Sequence, residues 1–199
     1  MPEQSGGAGT GRALVAVLAG GLSTRMGAPK ASAQLGGRPL ISYPLHAARE
    51  AGLDAVVVAK HDSELPPLHA PVIREPESPR HPLCGIVTAL THVRAPVVAV
   101  GCDMPFVSGG LLAWLALEPA KAIELGGRLQ PLPAVYRPAE LPMLERALEG
   151  EGSLRATLAA LGRRVVGERE LWAFGRPERL CFSVNDARDL QAASRWAAG

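Results

Sequence analysis

Apolar residues in the first half of the chain come in short unbroken runs rather than alternating with polar ones. Residues 13–18 read ALVAVL, residues 54–60 DAVVVAK and residues 96–102 PVVAVGC, with a shorter Val72-Ile73 between the last two. A run that is apolar at nearly every position predicts a strand covered on both faces, as in parallel sheets. Helical spacing fills the gaps. Pro39 suits the first position of a helix that continues to Glu50 and stops at Gly52, with Pro44 an awkward member inside it. Residues 83–93 bring Leu83, Ile86, Val87 and Leu90 to one helical face, just after His81-Pro82. Strand and helix alternating at this interval predict right-handed βαβ units and a mainly parallel sheet.

Beyond Phe106 the pattern changes. Residues 121–125 and 129–137 flank Gly126-Gly127, which predicts an antiparallel hairpin. Helical patterns follow over 140–149 and 153–161, then strands over 164–166 and 179–184. A last helix runs to Trp196, with Asn185 as its cap and Asp186 and Asp189 favourable in its first turn. The expected class is α/β, a mainly parallel twisted sheet with an antiparallel hairpin in the C-terminal half. Residues 12–199 fit a single domain, and the Gly/Ser/Thr-rich stretch 1–11 is expected to be a flexible tail.

Composition narrows the partners. With 21 Lys and Arg against 19 Asp and Glu, no basic face is evident, which argues against nucleic acid. Cys84, Cys102 and Cys181 lie far apart without a CxxC, so neither zinc nor a disulfide framework is indicated, and a reducing cytoplasm is expected. The apolar run at 13–20 follows a polar tail and leads into charged residues, unlike a signal peptide. No run approaches the roughly 18 apolar residues of a membrane span. His46, His61, His69, His81 and His92 show no metal-ligand spacing.

The first strand ends in LAGGLSTRMGAPK, residues 18–30. Glycines let backbone N–H groups approach a ligand that a Cβ would hold off, and successive N–H groups form a concavity suited to anions. Arg25 and Lys30 add full positive charge, and Ser23 and Thr24 add hydroxyls. At the carboxyl end of a buried strand this chemistry suits a polyphosphate. Neither GxxxxGK[ST] nor GxGxxG is present, which excludes two familiar phosphate-binding loops. A glycine pair after a strand is equally an ordinary βα turn. Asp103 follows the 96–102 run directly. A carboxylate there either caps the next helix or holds Mg²⁺, a hard cation often shared between carboxylates and substrate phosphates.

LAGGLSTRMGAPK resembles the LAGGxSxRMGxxK signature of nucleotidyltransferases in the molybdenum cofactor guanylyltransferase family and meets every fixed position. Cys102-Asp103-Met104-Pro105 resembles that family's CDMP motif. Pro82-Leu83-Cys84-Gly85 resembles its GPLAG turn, with His81 and Cys84 as departures. The resemblance implies that Leu18, Ala19, Gly20, Gly21 and Lys30 bind nucleotide, with Arg25 and Lys30 neutralising the phosphates of GTP. It also implies that Asp103 binds magnesium, so that Arg25, Lys30 and Asp103 form the catalytic set. Glu75 stands where the family has a nucleotide-contacting aspartate. Gly85 either lets guanine approach backbone or only eases a helix start. Ser183-Val184-Asn185 resembles an Asn-x-Asn motif with its first asparagine replaced, so Asn185 is either an acceptor contact or a plain helix cap. Arg155 is a candidate for an acceptor phosphate, or an exposed helix arginine.

The same resemblance implies a three-layer, Rossmann-like fold of the nucleotide-diphospho-sugar transferase type, with a nucleotide-binding half at about 12–106 and an acceptor-binding half at about 107–199. It implies transfer of GMP from GTP to molybdopterin carrying molybdenum, with Mg²⁺ as cofactor and transient contact with cofactor-delivery or acceptor proteins. A branch that uses CTP typically reads LAAG where this chain has Leu18-Ala19-Gly20-Gly21. The glycine pair thus favours guanine, while Ala28-Pro29-Lys30 leans toward cytidine. A binding module without turnover would be expected to lack Lys30 or Asp103, and both are present.

Overall fold

The computed structural model of the chain describes residues 12–21, 29–117 and 119–197. Strand β1 (Leu14–Leu18) is followed by a small ladder of β2 (Gln34–Leu35) and β3 (Arg38–Pro39), helix α1 (Ser42–Glu50), and strands β4 (Ala55–Ala59) and β5 (Val72–Arg74). Helix α2 (Pro82–Val93), strand β6 (Val97–Gly101) and helix α3 (Gly109–Ala116) come next. Strands β7 (Lys121–Leu125), β8 (Arg128–Gln130) and β9 (Ala134–Tyr136) lead to helices α4 (Leu141–Glu149) and α5 (Leu154–Ala160). Strand β10 (Arg164–Val166) and helices α6 (Glu168–Leu171), α7 (Pro177–Leu180) and α8 (Ala187–Ala197) complete the described chain.

The main sheet has the order β5-β4-β1-β6-β9, with β9 alone antiparallel to its neighbour. Its centre is dry because the sequence runs there are apolar throughout. Val15, Ala16 and Val17 of β1 and Val97 to Val100 of β6 are fully buried. Each sealed valine contributes about 1.5–3 kcal/mol. One face packs on α1 and α3 through Ala47, Ala48, Leu111, Leu112 and Leu115. The other packs on α2, α4 and α5 through Leu83, Ile86, Leu90, Leu144 and Leu154. The result is the expected three-layer α/β arrangement. Strand order reverses between β1 and β6, the point where ligands bind at the carboxyl ends of open α/β sheets.

Several elements differ from the sequence expectation. Helix α1 begins at Ser42, because Arg38-Pro39 pairs with Gln34-Leu35. Pro44 then falls at the third helical position, where the missing N–H has no intrahelical partner to lose. The hairpin is confined to β7 and β8; the chain leaves it through Pro131-Leu132-Pro133, and Ala134–Tyr136 joins the main sheet beside β6. Helix α3, which opens with Gly109-Gly110, went unforeseen because the pair reads as a breaker. No strand forms over 179–184. That stretch holds the end of α7 and a connection whose Val184 N–H donates to the carbonyl of Asp103 at 2.8 Å. The cap of α8 is Asp186, whose Oδ1 accepts from Arg188 and Asp189 N–H at 2.8 and 2.9 Å, not Asn185.

Candidate active site

The site grows from three neighbouring strand ends. At the end of β1, Leu18 C=O accepts from Cys102 N–H at 3.0 Å and Ala19 N–H donates to Val58 C=O at 2.8 Å. These bonds tie the start of the glycine loop to the ends of β6 and β4. Gly20 and Gly21 then line a cavity of about 300 Å³ together with Leu18, Lys30, Glu75, His81, Gly85 and Asp103. Arg25, with Ser23, Thr24 and Gly27, lies outside the described residues.

Lys30 opens a single 3₁₀ turn, Lys30–Ser32. Its ammonium donates to Asp103 Oδ2 and to Asn185 Oδ1, each at 2.8 Å. Asp103 is placed by the tight turn after β6, in which Met104 N–H donates to Gly101 C=O. The Val184–Asp103 backbone bond brings Asn185 alongside, and its own Nδ2 donates to Ser183 C=O at 3.0 Å, which fixes the amide's direction. The structure thus unites Lys30, Asp103 and Asn185, residues far apart in sequence. Among the described residues no group of three or more His, Cys, Asp or Glu side chains is poised to hold a metal. Asp103 and Asn185 nevertheless offer two hard oxygens, and a cation already bridges them in the form of the Lys30 ammonium. A divalent ion completing its shell with substrate phosphates and water fits that donor set. Burial pushes the neighbouring Cys102 thiol up, with the Asp103 carboxylate adding to it, so no thiolate nucleophile is available there.

On the β4 side of the same cavity lies a second charged pair. Lys60, immediately after β4, is 1% exposed and Glu75, after β5, 4%. The Lys60 ammonium lies 3.6 Å from Glu75 Oε1, donates to Pro79 C=O at 3.3 Å and donates to Pro76 C=O. Glu75 Oε2 is buried and has no hydrogen-bond partner. Burial pushes the Glu75 carboxyl up, against the pull of Lys60 and the nearby Cys84 thiol. Two glycines are explained by this carboxylate: a Cβ on Gly20 would sit 1.8 Å from Oε1, and one on Gly85 3.0 Å from Leu18 Cδ2 and 3.3 Å from Oε2. Sequence reasoning found Glu75 but not Lys60. The available signal was a lysine ending an otherwise apolar run. Arg80, also on the wall, donates to Asp62 and Glu77, and the guanidinium holds the Asp62 carboxyl below its usual range.

Lys60, Gly20 and Asp103 follow the adjacent strands β4, β1 and β6, so the Glu75 carboxylate, beside Lys60 and Gly20, lies on the β4–β1 side of the cavity and Asp103 at the end of β6. One end of the cavity therefore presents a cation shared by two hard oxygens, and the other a buried acceptor among glycines and apolar walls. Arg155 is not among the cavity residues; its Nε donates to Leu129 C=O on β8 at 2.9 Å.

Known proteins resemble this chain over most of its length. A family model described as the MobA-like NTP transferase domain matches residues 15–165. The chain is 38% identical over 124 residues to a molybdenum cofactor guanylyltransferase of Cereibacter sphaeroides, covering 58% of this chain and 64% of that one. A protein of the same name from Sinorhizobium fredii is 29% identical over 202 residues, covering 94% and 93%. Among solved structures, the molybdopterin-guanine dinucleotide biosynthesis protein A of Archaeoglobus fulgidus superposes with a TM-score of 0.74 at 26% identity, covering 92% of this chain and 98% of that one.

Proposed function

The chain belongs to the MobA-like NTP transferase family, and from that premise we propose that it transfers GMP from GTP to molybdenum-bearing molybdopterin, with Mg²⁺. An oxygen of the acceptor's phosphate attacks the α-phosphorus. The new P–O bond forms as the bond from the α-phosphorus to the α–β bridging oxygen breaks, and pyrophosphate leaves with that electron pair. A phosphate monoester, whose second pKa is about 6, is already a nucleophile at neutral pH, so no protein base is required. Catalysis is then alignment and charge neutralisation.

The observation that carries this reading is the convergence of Lys30, Asp103 and Asn185 at one end of the glycine-lined cavity, with Glu75 at the other. The amides of residues 18–21 and the Lys30 ammonium cradle the triphosphate, and Arg25 adds a second positive charge. Asp103, with Asn185 beside it, would hold the Mg²⁺, which would supply charge neutralisation at the phosphates. Asn185 also borders the incoming acceptor, and Arg155 would reach an acceptor only if it extends along β8. Glu75 Oε2 receives the base. Guanine offers two adjacent donors, N1–H and the 2-amino group, to a carboxylate, whereas cytosine offers a single amino group next to two acceptors. A buried acceptor without a partner therefore favours guanine.

The test is pyrophosphate release from GTP and from CTP, with and without Mg²⁺ and molybdopterin. Release with GTP that needs both additions is expected. Release with CTP alone would reassign the base, and no release from either, with nucleotide still bound, would make the protein a binding module.

A further inference from the structure

His81 stands where the resembled motif has its glycine, one of two departures with Cys84, and it lies on the wall of the nucleotide cavity. It is the N-cap of α2, with φ −140° and ψ 142°, and its Nδ1 accepts from Leu83 N–H at 3.2 Å. A ring nitrogen that accepts a hydrogen bond carries no proton, so the neutral imidazole must carry its proton on Nε2. Burial holds the imidazole below its ordinary range, which keeps it neutral. Among the described residues nothing accepts from Nε2. The opposite chemistry lies close by. Gly85, in the first turn of the helix that His81 caps, is where an added Cβ would sit 3.3 Å from the unpartnered Glu75 Oε2.

We infer that His81 is a specificity-determining residue whose Nε2–H donates to the carbonyl oxygen of the nucleobase while Glu75 accepts from its N–H groups. A phosphate is the poorer occupant, because the cations near His81 are already engaged, Lys60 by Glu75 and Arg80 by Asp62 and Glu77, while Lys30 lies at the β6 end of the cavity. Guanine carries such a carbonyl, O6, beside N1–H and the 2-amino group, so donor and acceptor on the wall meet acceptor and donors on one base edge. The inference rests on the guanine reading of the site and adds the group that recognises O6.

Calorimetric binding of three nucleotides tests it without need of the pterin. They are GTP, 6-thioguanosine triphosphate, which keeps both N–H donors but weakens the acceptor, and inosine triphosphate, which lacks the 2-amino group. The wild-type protein is expected to bind the 6-thio analogue about tenfold more weakly than GTP, as for loss of one satisfied hydrogen bond in a dry site. His81→Ser keeps a capping oxygen for α2 but cannot reach the base, and should bring that ratio close to one. Its discrimination between GTP and inosine triphosphate should stay as in wild type. His81→Thr, which also caps through a short hydroxyl, serves if the serine variant fails to fold. A wild-type ratio preserved in the folded variant overturns the role of His81. Failure of the wild-type protein to bind GTP overturns instead the guanine reading on which it rests.

Discussion

Replacing Lys60 by methionine removes the ammonium that neutralises Glu75 while leaving a side chain of similar length in its place. At 3.6 Å and an effective dielectric of about 20, the pair's gross attraction is about 5 kcal/mol, most of it offset in the wild-type protein by the cost of burying both charges. The variant keeps the burial of Glu75 and loses its compensation. Pro76 and Pro79 also lose the donor to their carbonyls. Breaking a buried pair from one side costs about 3–5 kcal/mol. The carboxyl can limit this by taking up a proton, since burial already raises it above 4.5 and the opposing pull of Lys60 is gone. A raised carboxyl favours the fold below its unfolded value and loses that contribution as pH rises through the folded one. The penalty in the variant therefore grows toward neutrality, by up to about 1.4 kcal/mol per pH unit. Urea unfolding at about pH 5.5 and pH 7 measures it. The expected result is a loss of about 3 kcal/mol at pH 7 that shrinks in acid, and a Lys60→Met/Glu75→Met double variant that recovers most of it. A loss below about 1 kcal/mol, or a double variant as unstable as the two singles summed, would refute the account of Lys60 as the counter-ion of a buried carboxylate.

Three other outcomes follow from the same geometry. Gly20→Ala sets a methyl group 1.8 Å from Glu75 Oε1 and should lower stability by about 1–3 kcal/mol while raising the KM for nucleotide, measured by unfolding and steady-state kinetics; unchanged nucleotide affinity would dissociate Glu75 from the base. Asp103→Ala should reduce Mg²⁺-dependent turnover on the order of 100-fold or more with little change in thermal midpoint, and wild-type activity in that variant would remove Asp103 from the mechanism. Burial depresses the His81 imidazole below 6.5, so its stability contribution is present above that value and fades as pH falls through the folded one. Between about pH 7.5 and pH 5 the wild-type midpoint should thus fall further than that of His81→Ser, with Lys30, Glu75, Arg80 and Asp103 on the same cavity common to both.

The sheet was readable from sequence because its strands are apolar at nearly every position, a pattern that depends on no distant contact. What could not be read depends on such contacts. Ala134–Tyr136 has the composition of a hairpin limb, and only the docking site beside β6 draws it out of the hairpin. Residues 179–184 carry an alternating pattern, yet Val184 is taken by the Asp103 carbonyl. The site divides in the same way. Lys30, Asp103 and Gly20 stand in contiguous motifs, whereas Lys60 joins the candidate site only because β5 places Glu75 beside it, and Asn185 only because the returning chain crosses the end of β6.

The two charged pairs of the cavity differ in a way that matches their proposed tasks. Lys60 and Glu75 are sealed, at 1% and 5% side-chain exposure, and the lysine is further held by two proline carbonyls. Such a pair keeps one geometry, and a fixed acceptor is what base discrimination requires. Lys30 and Asp103 retain 17% and 16% side-chain exposure and border open cavity. There, under the proposed function, the ammonium would neutralise a carboxylate that otherwise repels an incoming triphosphate, and would turn to the phosphates once they arrive. Its departure would leave Asp103 and Asn185 to hold a divalent ion together with the phosphates, whose charge that ion would neutralise. Nucleotide and metal affinity should then be coupled through Lys30, each strengthening the other, as reciprocity of linked binding demands. The sealed pair thus suits the proposed base recognition and the more exposed pair the proposed neutralisation of phosphate charge.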